Sequence, residues 1–156
     1  MSTPSFAFPQ PLAEKYRTRA IHDFVGLEKP KRILGKFAAN PYPSAWLFVG
    51  SSGIGKTSMA LALAEMLGAE LHHIPSQQCN VSAVEDVIRQ CWYVPRSAGF
   101  HLVLVDEADR MSNAAQLHFL SKLDATACPP QTIFVFTCNA TEGLEPNPLY
   151  SRRAIE

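Results

Sequence analysis

Apolar runs alternate along this chain with breaks rich in glycine, proline and asparagine. Ala45 to Val49 is a short continuous apolar run. It predicts a strand. Phe100 to Val105 predicts another, apolar enough to be buried on both faces, and Thr132 to Thr137 predicts a further one. A shorter strand is expected near Glu70 to Ile74, ended by Pro75. Helical stretches lie between these runs. Lys29 to Ala39 predicts a helix that tolerates Pro30 in its first turn and stops at Asn40-Pro41-Tyr42-Pro43. Ser58 to Leu67 is dense in good helix formers and runs into Gly68, a natural C-cap. Ser82-Ala83-Val84-Glu85 reads as a capping box, opening a helix with Val84, Val87, Ile88 and Cys91 inward. Ser112 is expected to cap a helix reaching Leu123, with Leu117, Leu120 and Leu123 inward. Strands alternating with helices imply an α/β fold in three layers around a mostly parallel sheet.

Composition narrows the class without changing that outline. The 156 residues suit one domain. Pro4, Pro9 and Pro11 predict an extended lead-in over residues 1–14, leaving 15–156 as the core. An apolar share of 47% with zero formal net charge describes a globular core and gives no global basic footprint for nucleic acid. No apolar run reaches the roughly 18 residues of a membrane helix. Met1 to Gln10 lacks the basic start and apolar stretch of a signal peptide, so the expected location is cytoplasmic. Cys79, Cys91, Cys128 and Cys138 show no zinc-ribbon spacing. His72 and His73 ahead of Cys79 invite a metal reading, but thiols of a reducing compartment are the simpler expectation.

The candidate chemistry concentrates in Gly50-Ser51-Ser52-Gly53-Ile54-Gly55-Lys56-Thr57. This segment fits a glycine, four free positions, then Gly-Lys-Ser/Thr, with a strand before it and a helix from Ser58 after it. Backbone N–H groups of such a loop and helix start surround phosphate oxygens. Lys56 would reach the β- and γ-phosphates of ATP or GTP, and the Thr57 hydroxyl would ligate Mg²⁺. The alternative is a plain glycine turn. Asp106-Glu107 closes the third strand, at the edge where open α/β sheets bind ligands. Asp106 would hold Mg²⁺ through water, and Glu107 would orient and polarise an attacking water. Acids decorating a helix N-terminus are the alternative there. Asn139, after the fourth strand, would bond the γ-phosphate or that water, or would simply shape a turn. Arg152 and Arg153 read as a solvated pair, or as guanidinium groups for phosphate in a neighbouring subunit.

Together these segments resemble the AAA+ ATPases, and within them the replication clamp-loader ATPase subunits of the replication factor C small-subunit and DNA polymerase III gamma–tau type. Lys15-Tyr16-Arg17-Thr18-Arg19 and Asp23-Phe24-Val25-Gly26 resemble the family's N-terminal box, though the family usually has proline where Thr18 stands. Gly50–Thr57 matches Walker A, Leu102–Glu107 matches Walker B, and Thr137-Cys138-Asn139 resembles sensor 1. Leu149-Tyr150-Ser151-Arg152-Arg153 resembles the Ser-Arg-Cys motif, with arginine in place of the cysteine. The resemblance implies a P-loop NTPase core using ATP and Mg²⁺. Tyr16, Arg17, Val25 and Gly26 would then sit by the adenine, Asn139 would be the sensor, and Arg152 would be a finger acting in trans. It also implies other AAA+ subunits, a sliding clamp and primer–template DNA as partners. Arg89, Arg96, Arg110 and Lys122 are basic candidates for DNA, more simply read as solvated surface. The family's final strand and helical lid are expected to be missing, since the chain ends at Ala154-Ile155-Glu156. That leaves a non-hydrolysing nucleotide-binding or interaction subunit, or a truncated remnant, as alternatives. Asp106-Glu107-Ala108-Asp109 also spells the DEAD signature of RNA helicases, a minor alternative given the short spacing from Lys56.

Overall fold

The computed structural model describes residues 18–96, 99–124, 127–141 and 154–155. Its strands are β1 (Ser44–Val49), β2 (Glu70–Pro75), β3 (His101–Asp106), β4 (Thr132–Cys138) and β5 (Ala154–Ile155). They form one sheet in the order β2-β3-β4-β1-β5, with every pairing parallel. The helices are α1 (Glu28–Ala39), α2 (Lys56–Leu67), α3 (Val81–Cys91) and α4 (Asn113–Lys122). Register decides what meets at the sheet edge. Val49 pairs with Cys138, and Val105 pairs with Phe136. The C-terminal ends of β1, β3 and β4 therefore finish side by side. Segments far apart in the chain thus deliver the loop after Val49, the Asp106 carboxylate and Asn139 to one place.

The apolar strands separate two cores. Successive side chains of a strand point to opposite faces. Trp46, Phe48, Leu102, Leu104, Ile133 and Val135 pack with Leu34, Phe37, Met59 and Leu63 from α1 and α2. Leu47, Val103, Val105, Phe134 and Phe136 pack with Val84, Ile88, Ala115 and Phe119 from α3 and α4. Phe119 meets Phe136 edge to face at 5.4 Å between ring centroids and Phe134 at 6.3 Å. Such pairs add about 0.5–1.5 kcal/mol beyond area burial. The continuous apolar character of β3 and β4 is what a sheet covered on both faces requires.

Three expectations are adjusted. The final strand is not wholly missing: Ala154 and Ile155 pair in parallel with Leu47 and Phe48. Their backbone groups extend the ladder and cover that part of the β1 edge. Helix α3 is capped by Asn80 rather than Ser82, with the Asn80 side chain accepting from the Ala83 N–H at 2.9 Å. Asparagine is as good an N-cap as serine, and it comes first in the chain. Ser112 caps α4 as expected, accepting from the Ala115 N–H. Leu117, however, is 57% exposed, whereas Ala115, Gln116, Phe119 and Leu120 are buried. The helical period places 115/116 and 119/120 on one face and 117 almost opposite. No described helix is long and apolar enough to cross a membrane.

Candidate functional site

The loop between β1 and α2 turns on glycine. Gly53 and Gly55 have φ of 81° and 97°, conformations strained for any residue with a Cβ. A Cβ on Gly55 would also stand 3.3 Å from the Phe24 ring. Lys56 opens α2, and its Nζ donates to the carbonyls of Gly50 at 2.8 Å and Ser51 at 2.9 Å. The same Nζ donates to Asn139 Oδ1 at 3.0 Å, tying the loop to the end of β4.

The next turn of chemistry centres on one carboxylate oxygen. Asp106 Oδ1 accepts from Thr57 Oγ1 at 2.6 Å and from Thr137 Oγ1 at 2.6 Å. Thr137 Oγ1 in turn accepts the Glu107 N–H at 3.0 Å. His73 Nε2 lies 3.9 Å from the other Asp106 oxygen. Glu107 has φ 53°, left-handed for a side-chain-bearing residue, at a cost of about 1–3 kcal/mol. Its bonded N–H and the Arg110 N–H donating to its carbonyl hold it there. Its carboxylate lies 3.2 Å from Arg110 Nη1.

Lys56, Thr57, Asp106, Glu107, Thr137 and Asn139 line a cavity of about 240 Å³, together with Ser52, Gly53, Gly55, Ser58 and Cys138. Beside it an apolar hollow of about 140 Å³ is lined by Leu27, Pro30, Leu34, Phe48, Ile54 and Met59, sharing Gly55 and Lys56 with the cavity. Cys138 is the one thiol in the cavity wall among the described residues. Burial, with Asp109 adding to it and Lys56 opposing, pushes that thiol up to about 11. It stays protonated near neutrality and is a poor nucleophile.

The structure brings together Ser52, Gly53, Gly55, Lys56, Thr57, Ser58, Asp106, Glu107 and Asn139. Gly50 and Ser51 contribute carbonyls to Lys56, and Ile54 turns to the apolar hollow. Val25 is 99% exposed and Gly26 adopts φ 70°; the lining of the hollow begins at Leu27. Tyr16, Arg17 and Arg152 lie outside the described residues. Sequence reasoning passed over Thr137 itself. Its signal was a hydroxyl inside an otherwise apolar strand, one residue short of its end. The donor set suits Mg²⁺ and phosphate: hydroxyl and carboxylate oxygens for a hard cation, and an ammonium with helix N–H groups for an anion.

Residues 46–156 match the model of the ATPase family associated with various cellular activities (AAA). The chain belongs to the AAA ATPase family. Among curated relatives, the replication factor C small subunit of Methanothermobacter thermautotrophicus is 30% identical over 152 residues, covering 93% of this chain and 46% of the relative. Replication factor C small subunit 2 of Pyrobaculum islandicum is 31% identical over 147 residues, covering 89% of this chain and 45% of that protein. This AAA chain thus spans just under half the length of the curated relatives it matches. Among solved structures, the RuvB Holliday junction branch migration motor of Thermotoga maritima superposes with a TM-score of 0.72. At 18% identity over 90% of this chain and 48% of that one, the likeness concerns the fold alone.

Proposed function

We propose that this AAA chain binds Mg²⁺-ATP in the cavity after β1 and hydrolyses it as one subunit of a clamp-loader-type assembly. The observation that carries the reading is the shared oxygen, Asp106 Oδ1, bonded by Thr57 from the glycine-loop helix and by Thr137 from β4. It joins the Walker A and Walker B segments at the open wall of the cavity. Lys56 holds the β- and γ-phosphates, and Thr57 and Asp106 hold the metal. When bound, Mg²⁺ neutralises charge on the phosphate oxygens. Glu107 orients and polarises water, and Asn139, already bonded to Lys56, reads the γ-phosphate. The base lies toward the apolar hollow, with Tyr16, Arg17, Val25 and Gly26 near it, and Arg152 serves a neighbour's phosphate in trans. Other AAA+ subunits, a sliding clamp, primer–template DNA and a cytoplasmic setting belong to the same reading, on the strength of the replication factor C relatives.

A second reading is a subunit that binds nucleotide without hydrolysing it. The Glu107–Arg110 ion pair favours it, because it occupies the carboxylate. Turnover of Mg²⁺-ATP is measured with primed DNA and candidate partner subunits, for wild type, Glu107→Gln and Arg152→Ala. Binding is measured separately by nucleotide titration. The first reading expects both variants to keep binding and lose turnover. Intact binding with no Glu107-dependent turnover under every partner combination establishes the second.

A further inference from the structure

We propose that His72, Cys91 and His101 form a binding site for one zinc ion, at the end of β3 away from the nucleotide cavity. The His Nδ1/Nε2 and Cys Sγ atoms of these residues lie within 4.8 Å of one another. They come from three elements: His72 from β2, Cys91 from the last turn of α3, and His101 from the first position of β3. Cys91 and His101 are buried and His72 is half-buried, so a path to solvent exists at one ligand.

The geometry fits a tetrahedral cation. His72 Nε2 and His101 Nδ1 are 3.0 Å apart. Two nitrogens on one tetrahedral zinc stand about 3.3 Å apart, given bond lengths of roughly 2.0–2.1 Å. A small opening of the pair admits the ion. The tautomer of His101 is also fixed in the needed sense. Its Nε2 stands 2.9 Å from the Tyr93 carbonyl, which can only accept, so Nε2 carries the proton. The Nδ1 lone pair therefore faces His72 Nε2, within the cluster that includes Cys91. A ligating histidine whose other nitrogen donates to a backbone carbonyl is the usual arrangement around zinc.

Charge and softness point the same way. Imidazole and thiolate select zinc over Mg²⁺ or Ca²⁺. Glu70 Oε2 lies 3.9 Å from His101 Nδ1 and is held by the Arg96 N–H at 2.8 Å. The Glu70 carboxylate and a Cys91 thiolate together balance a dication. Binding releases one proton, from the Cys91 thiol. The His72 ring keeps its proton by moving it from Nε2 to Nδ1, and water fills the fourth position. The ion pins the end of α3 to the β2–β3 edge of the sheet. Cys79, which lies near the two histidines in the chain, is not involved, since its Sγ lies 3.3 Å from Met111 Sδ.

The test uses the full chain, stripped with a chelator and titrated with Co²⁺ as a spectroscopic probe, then with Zn²⁺. The expected result is one equivalent bound with intense tetrahedral d–d absorption and a thiolate-to-cobalt charge-transfer band, both erased by Zn²⁺. Cys91→Ala loses the charge-transfer band. His72→Ala, at a half-buried position that spares the core, weakens Co²⁺ binding at least about tenfold. Zn²⁺ raises the melting temperature of wild type and leaves that of Cys91→Ala unchanged. A weak octahedral spectrum without the charge-transfer band, or a band that survives in a folded Cys91→Ala chain, overturns the site. Equal Co²⁺ affinity of wild type and His72→Ala overturns it as well.

Discussion

The two ends of β3 carry opposite chemistries. At one end Asp106 offers oxygen to Thr57 and Thr137 at the wall of an open cavity. At the other end His101, 2% exposed, offers nitrogen to His72 beside the Cys91 thiol. The first set is hard and open to solvent, with a chemistry suited to phosphate and Mg²⁺. The second is soft and enclosed, suited to an ion that stays. One strand presents both because parallel pairing gathers the ends of β1, β3 and β4 at the first edge, while β2 and the end of α3 meet β3 at the second. The contrast teaches that burial separates a donor set open to an exchanging ligand from one closed around its own members.

The sharpest way to break this contrast is to remove the cation of the open end. Lys56→Ala deletes the ammonium that bridges Gly50, Ser51 and Asn139. Hydrogen bonds to charged groups are worth about 1.5–3 kcal/mol, so nucleotide affinity should fall on the order of 10- to 100-fold. Calorimetric titration with Mg²⁺-ATP checks this. Unchanged affinity would remove the cavity from consideration, while the Co²⁺ spectrum of the enclosed end should be the same in both proteins.

The next largest effect should come from Thr137→Val. It leaves Asp106 Oδ1 with Thr57 alone and strips the Glu107 N–H of its acceptor. The donor is part-buried, so its loss should cost about 1 kcal/mol, the low end for an unsatisfied donor, read as a lower urea midpoint. Turnover should drop more than binding, because Glu107 loses the contact that fixes its strained backbone. A variant with wild-type stability and turnover would show that the bridge is incidental.

How far each end was legible follows from chain distance. Gly50 to Thr57 is contiguous, so it could be singled out as a candidate phosphate loop before any fold was known. Asp106 and Asn139 were legible because each closes a recognisable apolar strand. Thr137 was hidden, since a threonine within a strand reads as β-branched filler until the register sets it beside Asp106. The histidine–cysteine cluster was hidden for a stronger reason. His72, Cys91 and His101 sit on three elements, and the only metal reading the sequence raised paired the histidines with Cys79 and was set aside for reduced thiols. The four internal strands were legible from continuous apolar runs. The inward face of α4 was misjudged at Leu117 because leucine count was followed where the helical period favours Ala115, Gln116 and Phe119. The pairing of Ala154 and Ile155 with β1 could not be read from two residues alone.

Two buried thiols in the core on the α3 and α4 side, Cys138 at the open end and Cys79 away from it, sharpen the comparison further. Burial pushes Cys79 and Cys138 up to about 11 from an ordinary 9.0. Below pH 9 both folded and unfolded chains keep these protons, and the thiols contribute no pH dependence. As pH rises from 9 towards 11 the unfolded chain loses them first, so stability falls. The expected slope is on the order of 1 kcal/mol per pH unit for each thiol. Urea midpoints across this range, compared with those of Cys79→Ala and Cys138→Ala, check it; each variant should flatten the fall. An equally steep decline in both variants would assign it to other groups.

The smallest expected effect concerns Arg110→Ala. The Arg110–Glu107 pair is solvent-exposed on both sides, with side chains 60% and 42% accessible. Exposed pairs contribute about 0.2–1 kcal/mol at most, so the melting temperature should barely move. Turnover is a different readout. If Arg110 holds the carboxylate away from water, its removal frees Glu107, and hydrolysis within the assembly should rise by a small factor while affinity for ATP stays level. A fall in turnover instead would mean that the arginine positions Glu107 productively, and the pair would then belong to the working site. Either direction tells whether the open end is adjustable at its acid, as its exposure suggests, or already set. At the enclosed end the adjustable partner is His72, because the other nitrogen of the buried His101 is held by the Tyr93 carbonyl.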